Sequence, residues 1–321
     1  MQLIYYRCYT SYDLKYLFGI DASLYPRINF HQYTDNTFIF HRTILPLEGR
    51  MVPQNIRFGE QESKTLFSLE SKGVDVFTID DVKKILGSSD YSVWHVISGL
   101  KRKNRIQQIE KGKYLLVPAK AGIEGYWSEE PWVIVPHLID TYYIGFLTAM
   151  SYWNMTEQIP IMVFVATTKK KDDLEFGNQK FKFIKLSNTK FFGYVKERRN
   201  NTEFNISSKE KTIVDGLIHP EYCGGIIEVT KAMWTVRKEV KWEEVLTMTQ
   251  QVGVNVALRR LGYLLSILHI KKNIIKEIEK ITFKGYSILD PRSNKKKLGY
   301  SKNFGLILNK TSKELTGWME Y

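Results

Sequence analysis

Residues 78–118 read TIDDVKKILGSSDYSVWHVISGLKRKNRIQQIEKGKYLLVP, a run that spells helix, turn, second helix and β-hairpin. Thr78 or Asp80 can cap a first helix whose apolar residues are Val82, Ile85 and Leu86, and Gly87 ends it. Ser89 or Asp90 can cap the second. There Val93, Val96, Ile97 and Leu100 fall at i, i+3, i+4 and i+7, a single stripe to bury. At about 100° per residue, the opposite face carries Tyr91, His95, Ser98 and Arg102, flanked by Ser92 and Trp94. RIQQIE and KYLLVP then alternate as strands around Lys111-Gly112, a tight turn whose glycine can supply positive φ. This order of elements is that of a winged helix-turn-helix.

Charge placement gives that unit a direction. Lys101, Arg102, Lys103 and Arg105 cluster at the end of the second helix, and Lys111 and Lys113 stand at the wing tip, against only Glu110. Such a cluster is drawn to double-stranded DNA by counterion release, whatever the base sequence. On this reading Ser89, Tyr91, Ser92, Trp94, His95, Ser98 and Arg102 face the bases, while the lysines mainly position the protein. Tyr, His and Ser also occur on exposed helix faces that dock proteins, so charge carries the distinction.

Composition agrees. The chain has 321 residues, 43% apolar and 25% charged, enough for two or three domains with real cores. Its net charge of +13 favours an anionic partner. Cys8 and Cys223 are far apart and the histidines are scattered, so neither a disulfide framework nor a metal site is expected, and no cofactor. The most apolar window, 132–153, is broken by Pro136, His137 and Asp140, which argues against a membrane span. No signal peptide is legible, so a cytoplasmic protein is expected.

The expected organisation is α+β. Residues 1–58 form an N-terminal extension, aromatic-rich and with short β-like alternations, for which Met51 offers an alternative start. Residues 59–120 make the winged helix-turn-helix, with a first helix over Gln61–Lys72 and a short strand at Val76-Phe77 pairing with the wing. Residues 121–125 are a linker, and 126–321 a mixed α/β domain with a central sheet, a helical segment and C-terminal strands. In that domain the pattern predicts a helix over Pro136–Tyr152, then a buried strand in IPIMVFVATT, Ile159–Thr168, and strands over Phe181–Leu186 and Phe191–Val195. A capping box at Ser207 and Glu210 opens a helix to Leu217, and further helices start near Ile226, Trp242 and Val252. Strands return in SILDP and FGLILN, near Ser287 and Phe304.

The second domain also carries a resemblance. TAMSYWNMTEQIPIMVFVATTKKK from Thr148, SSKEKTIVDGLIHPEYCGGIIEV, VALRRLGYLLSIL and YSILDPRSNKKKLGYSKNFGLILN follow one another after the winged helix. In this order they resemble the antitoxin domain of the AbiEi family, from roughly Phe77 to Asn309. One departure stands at Asn154, before Met155-Thr156-Glu157, where the family usually has glycine. Asparagine tolerates the left-handed conformation better than other non-glycine residues, so the turn can survive. The resemblance implies a winged helix that represses its own operon at promoter repeats. Winged-helix repressors often dimerise, so a homodimer on DNA is one open arrangement, although no sustained heptad announces a coiled coil. The resemblance also implies a C-terminal domain that counteracts a nucleotidyltransferase-like toxin without stable contact, in a toxin–antitoxin or abortive-infection system.

Residue by residue, Thr156, Glu157, Gln158 and Pro160 match the family turn. Lys211, Asp215 and Pro220 match the following helix, and Arg259, Arg260 and Gly262 the late helix. Plainer roles compete. Glu157 and Gln158 suit bracing a turn, Asp215 a hydrogen bond within the domain, and Arg259 and Arg260 solvation opposite the leucine stripe. Lys169–Lys171 and Lys295–Lys297 read as charged turns that either solvate or extend a DNA footprint. A metal-dependent nuclease would need carboxylates at adjacent strand ends, whereas Asp215 and Glu228 fall in helical patterns; P-loop and Gly-x-Ser-x-Gly motifs are absent. No enzymatic activity is expected. The rival reading is a winged-helix regulator whose second domain only senses a ligand or oligomerises.

Overall fold

The computed structural model describes residues 32–33, 37–38, 57–122, 130–176, 179–199, 202–293 and 296–320. Gln32–Tyr33 (β1) and Thr37–Phe38 (β2) pair antiparallel within a separate unit, residues 1–54. The rest of the expected N-terminal extension lies outside the described residues, as do residues 123–125 of the expected linker.

Each boundary of the winged helix has an identifiable cause. Helix α1 (Glu60–Ser71) starts where the Glu62 carboxylate accepts from the Gly59 amide at 2.8 Å. Strand β3 (Val76–Thr78) leads into α2 (Ile79–Leu86), which Thr78 caps rather than Asp80. There Asp81 accepts from the Thr78 amide and hydroxyl at 2.8 and 2.7 Å. Gly87, at φ +61°, ends α2. Helix α3 (Asp90–Arg102) follows Ser89, whose hydroxyl makes no cap bond. It closes on left-handed Asn104, with the Arg105 amide returning to the Leu100 carbonyl at 2.9 Å. Strands β4 (Ile106–Glu110) and β5 (Lys113–Leu116) turn at Lys111-Gly112, where Gly112 takes φ +79°, and β5 lies between β3 and β4.

Strand alternation gives this small sheet two apolar faces. Phe77, Tyr114 and Leu116 join Val82, Val93, Val96, Ile97 and Leu100 in the core beneath α3. Val76, Ile109 and Leu115 face the other way, into a second core with Ile134, Val135 and Leu138 of α4 (Pro131–Leu138). That core continues onto a six-stranded mixed sheet through Val163, Val165, Phe181, Phe183, Phe204 and Ile206. Residues 55–321 accordingly form one compact unit.

The six-stranded sheet comprises β6 (Tyr142–Ile144), β7 (Met162–Thr167), β8 (Leu174–Phe176), β9 (Gln179–Lys185), β10 (Tyr194–Arg199) and β11 (Thr202–Ser207). Its order is β10-β11-β6-β7-β9-β8, with β11–β6 and β7–β9 parallel and the other pairs antiparallel. The single helix expected over Pro136–Tyr152 is therefore α4, then β6, then α5 (Phe146–Tyr152). The reason is physical: Tyr142–Ile144 is buried on both faces in mid-sheet, and so short an apolar run reads equally well as helix or strand. After α5, Asn154 does adopt the left-handed conformation, φ +53°, and the Met155 amide reaches the Met150 carbonyl at 2.8 Å.

The sheet's other face packs under α6 (Lys209–Ile218), α7 (Ile226–Thr235), α8 (Trp242–Val252), α9 (Asn255–Ile267) and α10 (Lys272–Glu279). Helix α6 is capped by Ser208, not Ser207: the Ser208 hydroxyl accepts from the Lys211 amide at 3.1 Å, and Ser207 ends β11. A small sheet of β12 (Ser287–Ile288), β13 (Gly299–Ser301) and β14 (Leu306–Leu308), in the order β12-β14-β13, and α11 (Ser312–Thr316) complete the chain.

Because both faces of the wing sheet bury apolar side chains, winged helix and second domain should unfold together. Leu115→Ala, at a fully buried position, should cost about 2–5 kcal/mol by denaturant titration and shift one cooperative transition. Two separate transitions, with Leu115→Ala moving only one of them, would contradict the shared core.

Candidate nucleic-acid interface

Burying Val93, Val96, Ile97 and Leu100 leaves the other side of α3 to solvent. Tyr91 is 74% exposed and Trp94 51%. His95, Ser98, Lys101 and Arg102 are exposed, as is Ser89, while Ser92 is half-buried. One turn apart, the Tyr91 and His95 rings meet edge to face, 4.6 Å between centroids. The structure thus leaves the solvent side of α3 and its flanks to offer hydroxyls, an imidazole, an indole edge and a guanidinium.

The basic rim is less uniform than its sequence. Arg102 and Lys111 are exposed and have no partner among the described residues. Lys101 donates to the Gln108 side chain at 2.9 Å, keeping its charge near the surface. Lys103 instead pairs with Glu62 of α1, whose carboxylate occupies the space that a side chain at Gly99 would fill. Arg105 donates to the Gly122 carbonyl at 2.8 Å. Lys113 donates to the His137 carbonyl at 2.5 Å and lies 3.7 Å from Glu110. Lys103, Arg105 and Lys113 are therefore anchors within the molecule, and the open cations are Lys101, Arg102 and Lys111.

Most of the candidates in the second domain hold the fold. The buried Lys211 pairs with Asp215 one turn on, and Tyr143 donates its hydroxyl to Asp215 at 2.9 Å. The Lys211 ammonium also bonds the Tyr143 oxygen at 3.1 Å and lies over the Tyr143 and Phe192 rings. Burial and the neighbouring Asp215 push the Tyr143 hydroxyl far above its usual range. Gln158 and Thr156 donate to the two oxygens of buried Glu228, at 2.9 and 2.5 Å, bracing the turn; Glu157 is exposed.

Arg259 and Arg260 correct the expectation of solvation: they are 4% and 3% exposed. The C-terminal segment covers the side of α9 opposite the leucines. Arg259 donates to the carbonyls of Lys284, Gly285 and Gly305 at 2.7–2.8 Å. Arg260 donates to those of Leu217, Ile218, Ile288 and Leu289. Burial lowers Arg260 to about 10, still charged at neutral pH. Gly262 is explained as well, since a Cβ there would lie 2.5 Å from the Phe304 ring. Glu62, which neutralises Lys103, was not singled out by sequence; it lies 41 residues away.

Among the described residues, no group of three or more His, Cys, Asp or Glu could hold a metal, and no helix is long and apolar enough to cross a membrane. Asp215 and Glu228, the carboxylates weighed for metal chemistry, each close onto their own internal partners.

The fold has a solved counterpart in the Rv2827c protein from Mycobacterium tuberculosis. The two agree with a TM-score of 0.62 over 84% of this chain and 98% of that one, at 13% identity, which speaks to fold alone. No curated protein matches the sequence. The family model described as "Transcriptional regulator, AbiEi antitoxin" matches residues 64–117, from α1 to the residue after β5, whereas the segments that carry the sequence resemblance lie mainly beyond it. Over this winged helix the chain therefore matches the AbiEi antitoxin family of transcriptional regulators.

Proposed function

We propose that the chain binds operator DNA with the open face of α3, represses its own operon, and counteracts a nucleotidyltransferase-like toxin through the second domain. The observation that carries the DNA-binding part is the exposed Tyr91–His95–Arg102 face on a family-matched winged helix. An α-helix fits the major groove, where those side chains can meet base edges, and Lys101, Arg102 and Lys111 supply phosphate contacts. Binding as a homodimer on promoter repeats is part of the same proposal.

For the second domain the geometry narrows the candidates. Lys211, Asp215, Arg259 and Arg260 are buried and bonded within the domain, which favours a structural role. Glu157 stands free at the tip of the turn, beside Ile159 and Ile161, which are 89% and 81% exposed. Antitoxin action is therefore assigned to this turn rather than to the buried charges. No catalytic role is proposed.

Three measurements check the proposal. In gel shifts against the upstream region, His95→Ala with Arg102→Ala should reduce discrimination between operator and random duplex, by about 1–3 kcal/mol per lost base contact. Lys111→Ala should weaken both duplexes equally and make the salt slope shallower by about 0.9, while Lys113→Ala should leave the slope unchanged. Unaltered binding by all of these would remove α3 and the wing from the interface.

Asp215→Asn should destabilise the fold by about 3–5 kcal/mol, because it strands a buried ammonium, whereas Glu157→Ala should melt like the parent. The reverse ranking would return Asp215 to the list of contact residues. Coexpression with a neighbouring nucleotidyltransferase-like reading frame should relieve that protein's toxicity. Persistent toxicity would leave only the regulatory part standing.

A further inference from the structure

The loop between β7 and β8, TKKKDD at residues 168–173, belongs to the second domain yet sits at the wing tip. Its anchor is Lys171, whose ammonium pairs with Glu110 at the end of β4 at 2.6 Å and lies 5.3 Å from the centre of the Phe183 ring. The loop's first turn is pinned by the Lys169 amide donating to the Thr167 hydroxyl at 3.2 Å. With Lys171 consumed by Glu110, Lys169 and Lys170 are left exposed, with no partner among the described residues.

A further cation shares this side. Lys185 lies two residues beyond Phe183 on β9, and by strand alternation it takes the face that Phe183 turns toward the wing. It too is exposed and without a partner among the described residues. The opposing charge is modest: Asp173 is engaged by Lys182 at 3.5 Å and by the Phe183 amide at 3.1 Å, leaving Asp172 in solvent. Lys111 of the wing turn, one residue from Glu110, completes a group of open ammonium ions on two segments that Glu110 and Lys171 tie together.

We infer that the β7–β8 loop is a second wing, on which Lys169 and Lys170, with Lys185 behind them, grip the phosphodiester backbone of the duplex next to Lys111. The wing turn is only two residues long and offers Lys111 alone as an open cation. The second domain would thus supply the backbone contacts that a longer wing provides, and the Lys171–Glu110 pair would set the spacing between the two arms. This inference rests on the reading that α3 binds DNA, and its contacts are to phosphate, so they carry no base preference.

The test is fluorescence anisotropy of the full chain with labelled duplexes, one from the upstream region and one random, over a series of salt concentrations. Removing two phosphate contacts should make the slope of log affinity against log salt shallower by about 1.8. Lys169→Ala with Lys170→Ala should show that change on both duplexes alike, with an unshifted thermal melt because both side chains are free. Lys169→Glu with Lys170→Glu should weaken binding further still. A parent-like slope in the alanine pair, with the parent itself binding salt-dependently, would overturn the second wing and leave α3 in place. A parent chain that binds neither duplex would overturn both.

Discussion

The constraint on which the rest depends is a sheet of three short strands that buries apolar side chains on both faces. Phe77, Tyr114 and Leu116 on one side hold α3, and Val76, Ile109 and Leu115 on the other hold α4 and the central sheet. Leu115 and Phe77 are essentially fully buried, so the wing cannot swing without exposing apolar surface at about 25 cal/mol per Å². The winged helix is thereby presented rigidly by the domain that follows it. Rigid presentation suits the proposed DNA-binding role, in which helix-face side chains would have to reach base edges in one register.

The electrostatics follow the same geometry. A row of cations in the sequence becomes two populations in space. Lys103, Arg105 and Lys113 tie α3 and the wing to α1, to Gly122 and to α4, while Lys101, Arg102 and Lys111 remain open. Glu110 is the junction, since it meets both Lys113 and Lys171 and so fixes the β7–β8 loop beside the turn. Buried ions elsewhere are treated differently. Lys211 and Asp215 neutralise each other beneath Tyr143, and the guanidiniums of Arg259 and Arg260 terminate on backbone carbonyls. A charge stranded without such partners in the interior would be costly.

Local signals in the sequence sufficed for the winged helix itself. The Val93 to Leu100 stripe, the stops at Gly87 and Gly112 and the left-handed Asn154 are each set by residues a few positions apart. What escaped the sequence depends on distant partners. Strand β6 is a three-residue run whose identity is decided by β7 and β11 on its flanks. Arg259 and Arg260 look solvated on a helical wheel, and the carbonyls of Lys284, Gly285, Ile288, Leu289 and Gly305, with those of Leu217 and Ile218 on α6, are what enclose them. The quenching of Lys103 by Glu62 was invisible for the same reason, as was the meeting of Lys171 with Glu110, 61 residues apart.

Side-chain oxidation footprinting with and without duplex from the upstream region tests the central claim most directly. Tyr91, Trp94 and His95 should oxidise readily in the free protein and become protected on the duplex, while exposed Tyr286, just before β12, and Tyr300 on β13 keep their rates. Protection of Tyr286 and Tyr300 with Tyr91, Trp94 and His95 still open would contradict the account.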